Sequence, residues 1–91
     1  MTHRVILAPA VARSLGKLRG PTFVALRGVI LALRDDPRPA GCRKLRGRDL
    51  HRIRLRIDGK PWRIIYVVRD SERVIWVTHV GRRDEATYRR L

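Results

Sequence analysis

Hydrophobic and polar residues alternate most regularly between Leu50 and Tyr66, in the run L-H-R-I-R-L-R-I-D-G-K-P-W-R-I-I-Y. Ile53, Leu55 and Ile57 fall on one parity; Arg52, Arg54 and Arg56 fall on the other. A strand sends successive side chains to opposite faces, so the pattern predicts one apolar face and one cationic face. Asp58-Gly59 is a hairpin signal, in a loop lengthened by Lys60 and Pro61, and a second strand is expected from Trp62 to Arg69. That return brings Arg63 beside the first strand. Four arginines on two neighbouring strands repel one another, which stability alone does not select. An anionic partner accounts for them.

Upstream, Arg4-Val5-Ile6-Leu7 reads as a first strand, and Pro9 follows where the first turn of a helix tolerates it. Val11, Leu15 and Leu18 recur at i, i+4 and i+7, the stripe of a short helix that Gly20 closes. Pro21 opens a second helix, in which Phe23, Leu26, Ile30 and Leu33 recur at helical spacing. Val24, Val29 and Leu31 widen its stripe, and Asp35-Asp36-Pro37 ends it. Residues 38–48 read as a basic loop holding Arg38, Arg43, Lys44, Arg46 and Arg48. Downstream, Asp70-Ser71-Glu72 is a turn, and residues 74–80 form a strand whose hydrophobics occupy both parities, so burial on both faces is expected. Asp84 can cap a short last helix carrying Tyr88, Arg89 and Arg90. The order is β-α-α-β-β-β-α. It predicts a single α+β domain over residues 1–91, with two helices on one face of a mostly antiparallel four-stranded sheet.

Composition adds a partner class. The chain of 91 residues is 44% hydrophobic, which argues against disorder. Its 22 Lys and Arg against 8 Asp and Glu give a net charge of +14, more than solubility requires. Such an excess points to phosphate-rich partners or an acidic protein. Arginine dominates, which suits bidentate phosphate contacts. A GC-rich coding bias explains part of the arginine-to-lysine ratio but not the net charge. The single cysteine, Cys42, excludes an intrachain disulfide, and the three histidines have no Cys or acidic group at ligand spacing. No metal or cofactor is therefore expected. With no long apolar run, the expected location is the cytoplasm and no membrane is involved.

Four segments in order, K-L-R-G (44–47), R-I-R-L (52–55), W-R-I-I-Y (62–66) and V-G-R-R-D-E-A-T-Y (80–88), give the chain a resemblance to the RelE/ParE toxin superfamily. It resembles most the RelE-type messenger-RNA endonucleases of type II toxin–antitoxin pairs, over almost the whole chain. The resemblance implies a toxin that enters the ribosomal A site, cuts the message there, and is held by an acidic antitoxin in a hetero-oligomer. It implies that Arg52 and Arg54 face the RNA, that Arg63 contacts the scissile phosphate, and that Arg83 and Tyr88 serve the substrate from the C-terminal segment. Lys44, Arg46, Arg48, Arg56, Lys60 and Arg82 would extend the RNA-binding surface.

Metal-free RNA cleavage uses the 2′-OH as nucleophile against the adjacent phosphate. It needs a base, charge stabilisation on the phosphorane and a proton for the leaving 5′ oxygen. Arginines meet the second need, each fixed donor contributing roughly 2.7–4 kcal/mol. They fail the first, because a guanidinium does not deprotonate near neutrality. The family pattern often has lysine where this chain has Arg52 and Arg54. Three readings stay open: the arginines only stabilise charge, a histidine acts as base, or the nuclease is weak or inactive. His79 shares the parity of Gly81 and Arg83 and is the better candidate base; His51 has the opposite parity to Arg52 and Arg54, and His3 belongs to the terminus. Two other functions fit the same charge. One is a ParE-type inhibitor of DNA gyrase; the other is a non-catalytic RNA- or ribosome-binding module.

Overall fold

The computed structural model describes residues 2–45 and 50–82. Each element follows from a local cue. In β1 (Arg4–Leu7) the β-branched pair Val5-Ile6 favours extension, and Pro9 then supplies the fixed φ of a first helical turn. Helix α1 (Pro9–Gly16) buries Val11 and Leu15, one turn apart. It stops at Gly16, before Gly20. Gly20, with φ of 67°, instead takes the left-handed conformation at the corner where α2 (Gly20–Ala32) begins.

Helix α2 buries Leu26 and Ile30, and Leu33 just beyond it is equally enclosed. The stripe is narrower than its sequence suggests, because Val24 and Leu31 are exposed. Tight turns carry the chain from Leu33 to Asp36, and Pro37 bars further helix. Within the basic loop, Arg43–Lys44 forms a two-residue strand, β2, against β3 (His51–Ile57). The sheet therefore has five strands where four were expected.

Strand β4 runs from Lys60 to Arg69, so Lys60 and Pro61 belong to the strand and the hairpin loop is Asp58-Gly59 alone. Both loop residues have positive φ (52° and 75°), as a primed turn demands. Pro61 is tolerated because Ile57–Lys60 is the closing hydrogen-bonded pair. The Arg56–Pro61 pair beyond it needs no N–H toward β3. The turn after β4 places Arg73 at φ of 53°, a conformation costing a non-glycine residue roughly 1–2 kcal/mol.

Strand β5 (Val74–Arg82) completes a sheet of order β1-β5-β4-β3-β2, with β1 parallel to β5 and every other pair antiparallel. A bulge interrupts the β4–β5 ladder: Ile65 pairs with His79 but Tyr66 pairs with Val77, leaving Thr78 as the extra residue. The Thr78 hydroxyl donates to the Ile65 carbonyl at 3.3 Å. The bulge explains why Val80 differs in parity from Ile75 and Val77; ahead of it the expected burial on both faces holds for Val74, which is 6% exposed, but not for Trp76. Ile75 and Val77 face the helices, the bulge restores Val80 to that side, and Trp76 on the other face is 42% exposed.

Both helices cover one face of the sheet, where Ile53, Ile57, Ile64, Tyr66, Ile75 and Val77 join Val11, Leu15, Leu26 and Ile30 in the core. The Tyr66 hydroxyl donates to the Pro37 carbonyl at 2.8 Å and its ring stacks on His51, which ties the loop after α2 to the sheet. At the far end, Asp70 accepts from Arg38 at 2.9 Å and meets His3 at 3.3 Å. His3, set aside as terminal in the sequence, is thus held in place. The last helix expected after residue 83 lies outside the described residues. No helix among the described residues is long and apolar enough to cross a membrane.

Candidate nucleic-acid interface on the sheet face away from the helices

Register decides which cations share a face, because directly opposed residues of antiparallel strands point the same way. Arg54 is opposite Arg63, and Arg63 is opposite Gly81, which makes one row across β3, β4 and β5. The adjacent row is Arg43, Arg52, Ile65 and His79. Both rows lie on the face away from the helices. Arg54 and Arg63 form a pair not bonded to each other through the backbone, with Cα atoms about 4.5 Å apart, the closer of the two antiparallel spacings. Arg56, one step along the same face, donates to the Gly59 carbonyl at 3.0 Å and so braces the hairpin turn.

Burial divides this row. Arg54 is exposed, whereas Arg63 is 0% exposed. A buried guanidinium persists only where its charge is matched, so Arg63 forms part of the interior of the face and Arg54 its surface. At the hairpin end, Arg54, Leu55, Arg56, Pro61 and Trp62 line a shallow cleft of about 280 Å³.

The bulge at Thr78 sets the position of His79. With unbroken alternation residue 79 would follow Ile75 and Val77 toward the helices; the extra residue turns it to the arginine face. There its ring folds over Gly81: a Cβ added to that glycine would stand 3.0 Å from His79 Nε2. The imidazole therefore leans into the row of Arg54 and Arg63. His51 takes the opposite face, buried and stacked on Tyr66 at a ring separation of 5.5 Å, and is no candidate base for the arginine side. Burial raises the Tyr66 hydroxyl well above its ordinary pKa, with a hydrogen bond involving Cys42 adding to the shift, so this phenol stays protonated.

The remaining candidates are distributed unevenly. Lys44, Lys60 and Arg82 are exposed but pair with His51, Ile57 and Trp62, and so share the register of the helix-covered face. Arg43, read from the sequence only as a loop cation, sits opposite Arg52 and joins the arginine face. A two-residue strand inside a basic loop leaves no periodicity by which to find it. Arg46, Arg48, Arg83 and Tyr88 lie outside the described residues. Among the described residues no group of His, Cys, Asp or Glu side chains is placed to hold a metal ion.

Comparison with known proteins bears on the family and the fold. Residues 5–87 match the family described as ParE toxin of type II toxin-antitoxin system, parDE. No curated protein sequence matches the chain. Among solved structures, the isolated RelE toxin of E. coli is 28% identical, covers 98% of this chain and 99% of its own, and superposes with a TM-score of 0.74. The archaeal RelE–RelB complex from Pyrococcus horikoshii gives 28% identity, coverage of 93% and 99%, and a TM-score of 0.72. The toxin–antitoxin complex RelBE2 from Mycobacterium tuberculosis, at 20% identity with coverage of 91% and 100% and a TM-score of 0.73, shares the fold.

Proposed function

Given that the chain belongs to the ParE toxin family of type II toxin–antitoxin systems, we propose that it acts as a RelE-type endoribonuclease on messenger RNA in the ribosomal A site. The observation that carries this reading is the convergence of Arg52, Arg54, Arg63 and the bulge-turned His79 on the sheet face away from the helices. The solved relatives above are RelE toxins, two of them held by an antitoxin, which supports an acidic antitoxin as the partner of this chain too.

In this mechanism the substrate's 2′-OH attacks the adjacent phosphorus and the bond to the 5′ oxygen breaks, leaving a 2′,3′-cyclic phosphate. Arg54 and Arg52 neutralise the charge that grows on the phosphorane. Arg63, buried behind them, fixes the electrostatic character of the face. His79 is the described residue on this face able to take up a proton near neutral pH. Arg83 and Tyr88 belong to the same proposal as donors from the C-terminal segment.

A second reading has its own observation: the matching family is that of ParE, a gyrase inhibitor without catalysis. Primer extension on a reporter message in a cell-free translation reaction separates the two. The nuclease gives new 5′ ends on translating ribosomes, and Arg54→Ala lowers their yield at least about tenfold, or 1.4 kcal/mol. Intact message together with inhibited supercoiling by purified gyrase would replace the nuclease with the gyrase reading.

A further inference from the structure

A second cationic cleft lies at the opposite end of the sheet. Arg4 from β1, Arg34 after α2, and Arg73 from the β4–β5 turn line it together with His3 and Leu31, around a volume of about 430 Å³. Arg4 is in register with Val74 at the start of β5, whereas Gly81 of the arginine face is seven residues further on. At about 3.3 Å per residue the two sites stand roughly 23 Å apart, too far to share one phosphate.

Arg73 gives the clearest sign of selection for a ligand. Its backbone is left-handed, a geometry glycine or asparagine adopts with less strain. Its N–H donates to the Asp70 carbonyl at 3.1 Å and its carbonyl accepts from Arg4 N–H at 2.8 Å, so the turn is fixed by backbone contacts alone. The arginine side chain contributes nothing to those bonds. Strain held at a residue with no structural need for its side chain points to a use for that side chain.

One further feature fits an anion: among the described residues no carboxylate lines the cleft, and Asp70 nearby is engaged by Arg38 at 2.9 Å and by His3 Nε2 at 3.3 Å. Guanidiniums from three segments suit the oxygens of a phosphate better than a peptide helix, which needs a run of apolar anchors where this cleft offers Val5 and Leu31.

We propose that this cleft is a second anion site, which takes a backbone phosphodiester of a nucleic acid bound at the same time as the arginine face. It does not rest on the cleavage reading. The test uses the full chain and fluorescence anisotropy with labelled duplex RNA, duplex DNA and oligoglutamate as probes, none of which has to be cut. Arg34→Ala and Arg73→Gly are each expected to weaken nucleic-acid binding about threefold to tenfold at low salt. Each should also reduce the slope of log K against log salt by roughly 0.7–0.9. The thermal midpoint of Arg73→Gly should equal or exceed that of the parent, which separates lost binding from lost folding. Equal losses for RNA and DNA support recognition of the phosphodiester itself, and a loss confined to RNA supports it with RNA as the source. The proposal is overturned if both variants bind like the parent or lose no more than Arg13→Ala on α1. It is also overturned if only oligoglutamate binding falls, which would make the cleft a peptide site.

Discussion

Arg63 holds a formal charge where water does not reach it, and Arg54 holds one at the surface. Substituting them therefore tests different things. Arg54→Ala removes a surface donor and should leave circular dichroism and thermal midpoint unchanged while cleavage falls. Arg63→Ala leaves a void and unmatched neighbours, so its midpoint should fall together with its activity. Gly81 offers a finer probe. A methyl group there meets the far end of a movable imidazole, so Gly81→Ala should keep the fold and swing His79 aside. If His79 is the base, cleavage drops severalfold and the acidic limb of the pH–rate profile shifts; an unchanged profile would remove it from the mechanism. Tyr66 belongs to the structure. Tyr66→Phe deletes its bond to the Pro37 carbonyl and should cost about 0.5–1.5 kcal/mol in urea unfolding at neutral pH. Because burial raises the folded phenol's pKa, its stabilisation is complete below about pH 10 and fades above it as the unfolded chain ionises. The phenylalanine variant should lack that alkaline decline.

At the scale of elements, the bulge in β5 is the device that joins core and site. Deleting Thr78 removes only the extra residue: His79 then follows Val77 directly and keeps the arginine face, and Val80 keeps the helix face, so the fold and the site should both survive the deletion. The sequence shows the strand 51–57 and the helical hairpin because each is buried on one side, and one-sided burial leaves a period; β4, buried on both sides, is legible instead from the Asp58-Gly59 turn before it. It cannot show the bulge, since a threonine between apolar residues looks the same in a regular strand. Ahead of the bulge, the mixed parity of residues 74–77 reads as burial on both faces, which Val74 shows and Trp76 does not. Arg43 escapes for a related reason: its place on the site comes from a partner, Arg52, and not from any pattern of its own. His79 lies on the arginine face, as its shared parity with Gly81 requires, because the bulge precedes both residues.

For the whole molecule, a charge of +14 on 91 residues makes binding to any polyanion strongly dependent on ionic strength. Affinity for RNA should fall linearly on a log–log plot against salt, with a slope that counts the phosphates neutralised at roughly 0.7–0.9 each. Contact with a single phosphate would give a slope near one. Two separated clusters holding one nucleic acid require several times that. Topology adds a constraint of timing. The first strand finds its neighbour only in the fifth, about seventy residues later, and both helices rest on strands made after them. Closing so long a loop comes late and slowly. A nascent chain that ends before Val74 has nowhere to seat its own beginning. During synthesis the polypeptide therefore remains harmless until the fifth strand has been made, and a stop anywhere upstream of that strand yields no toxin at all.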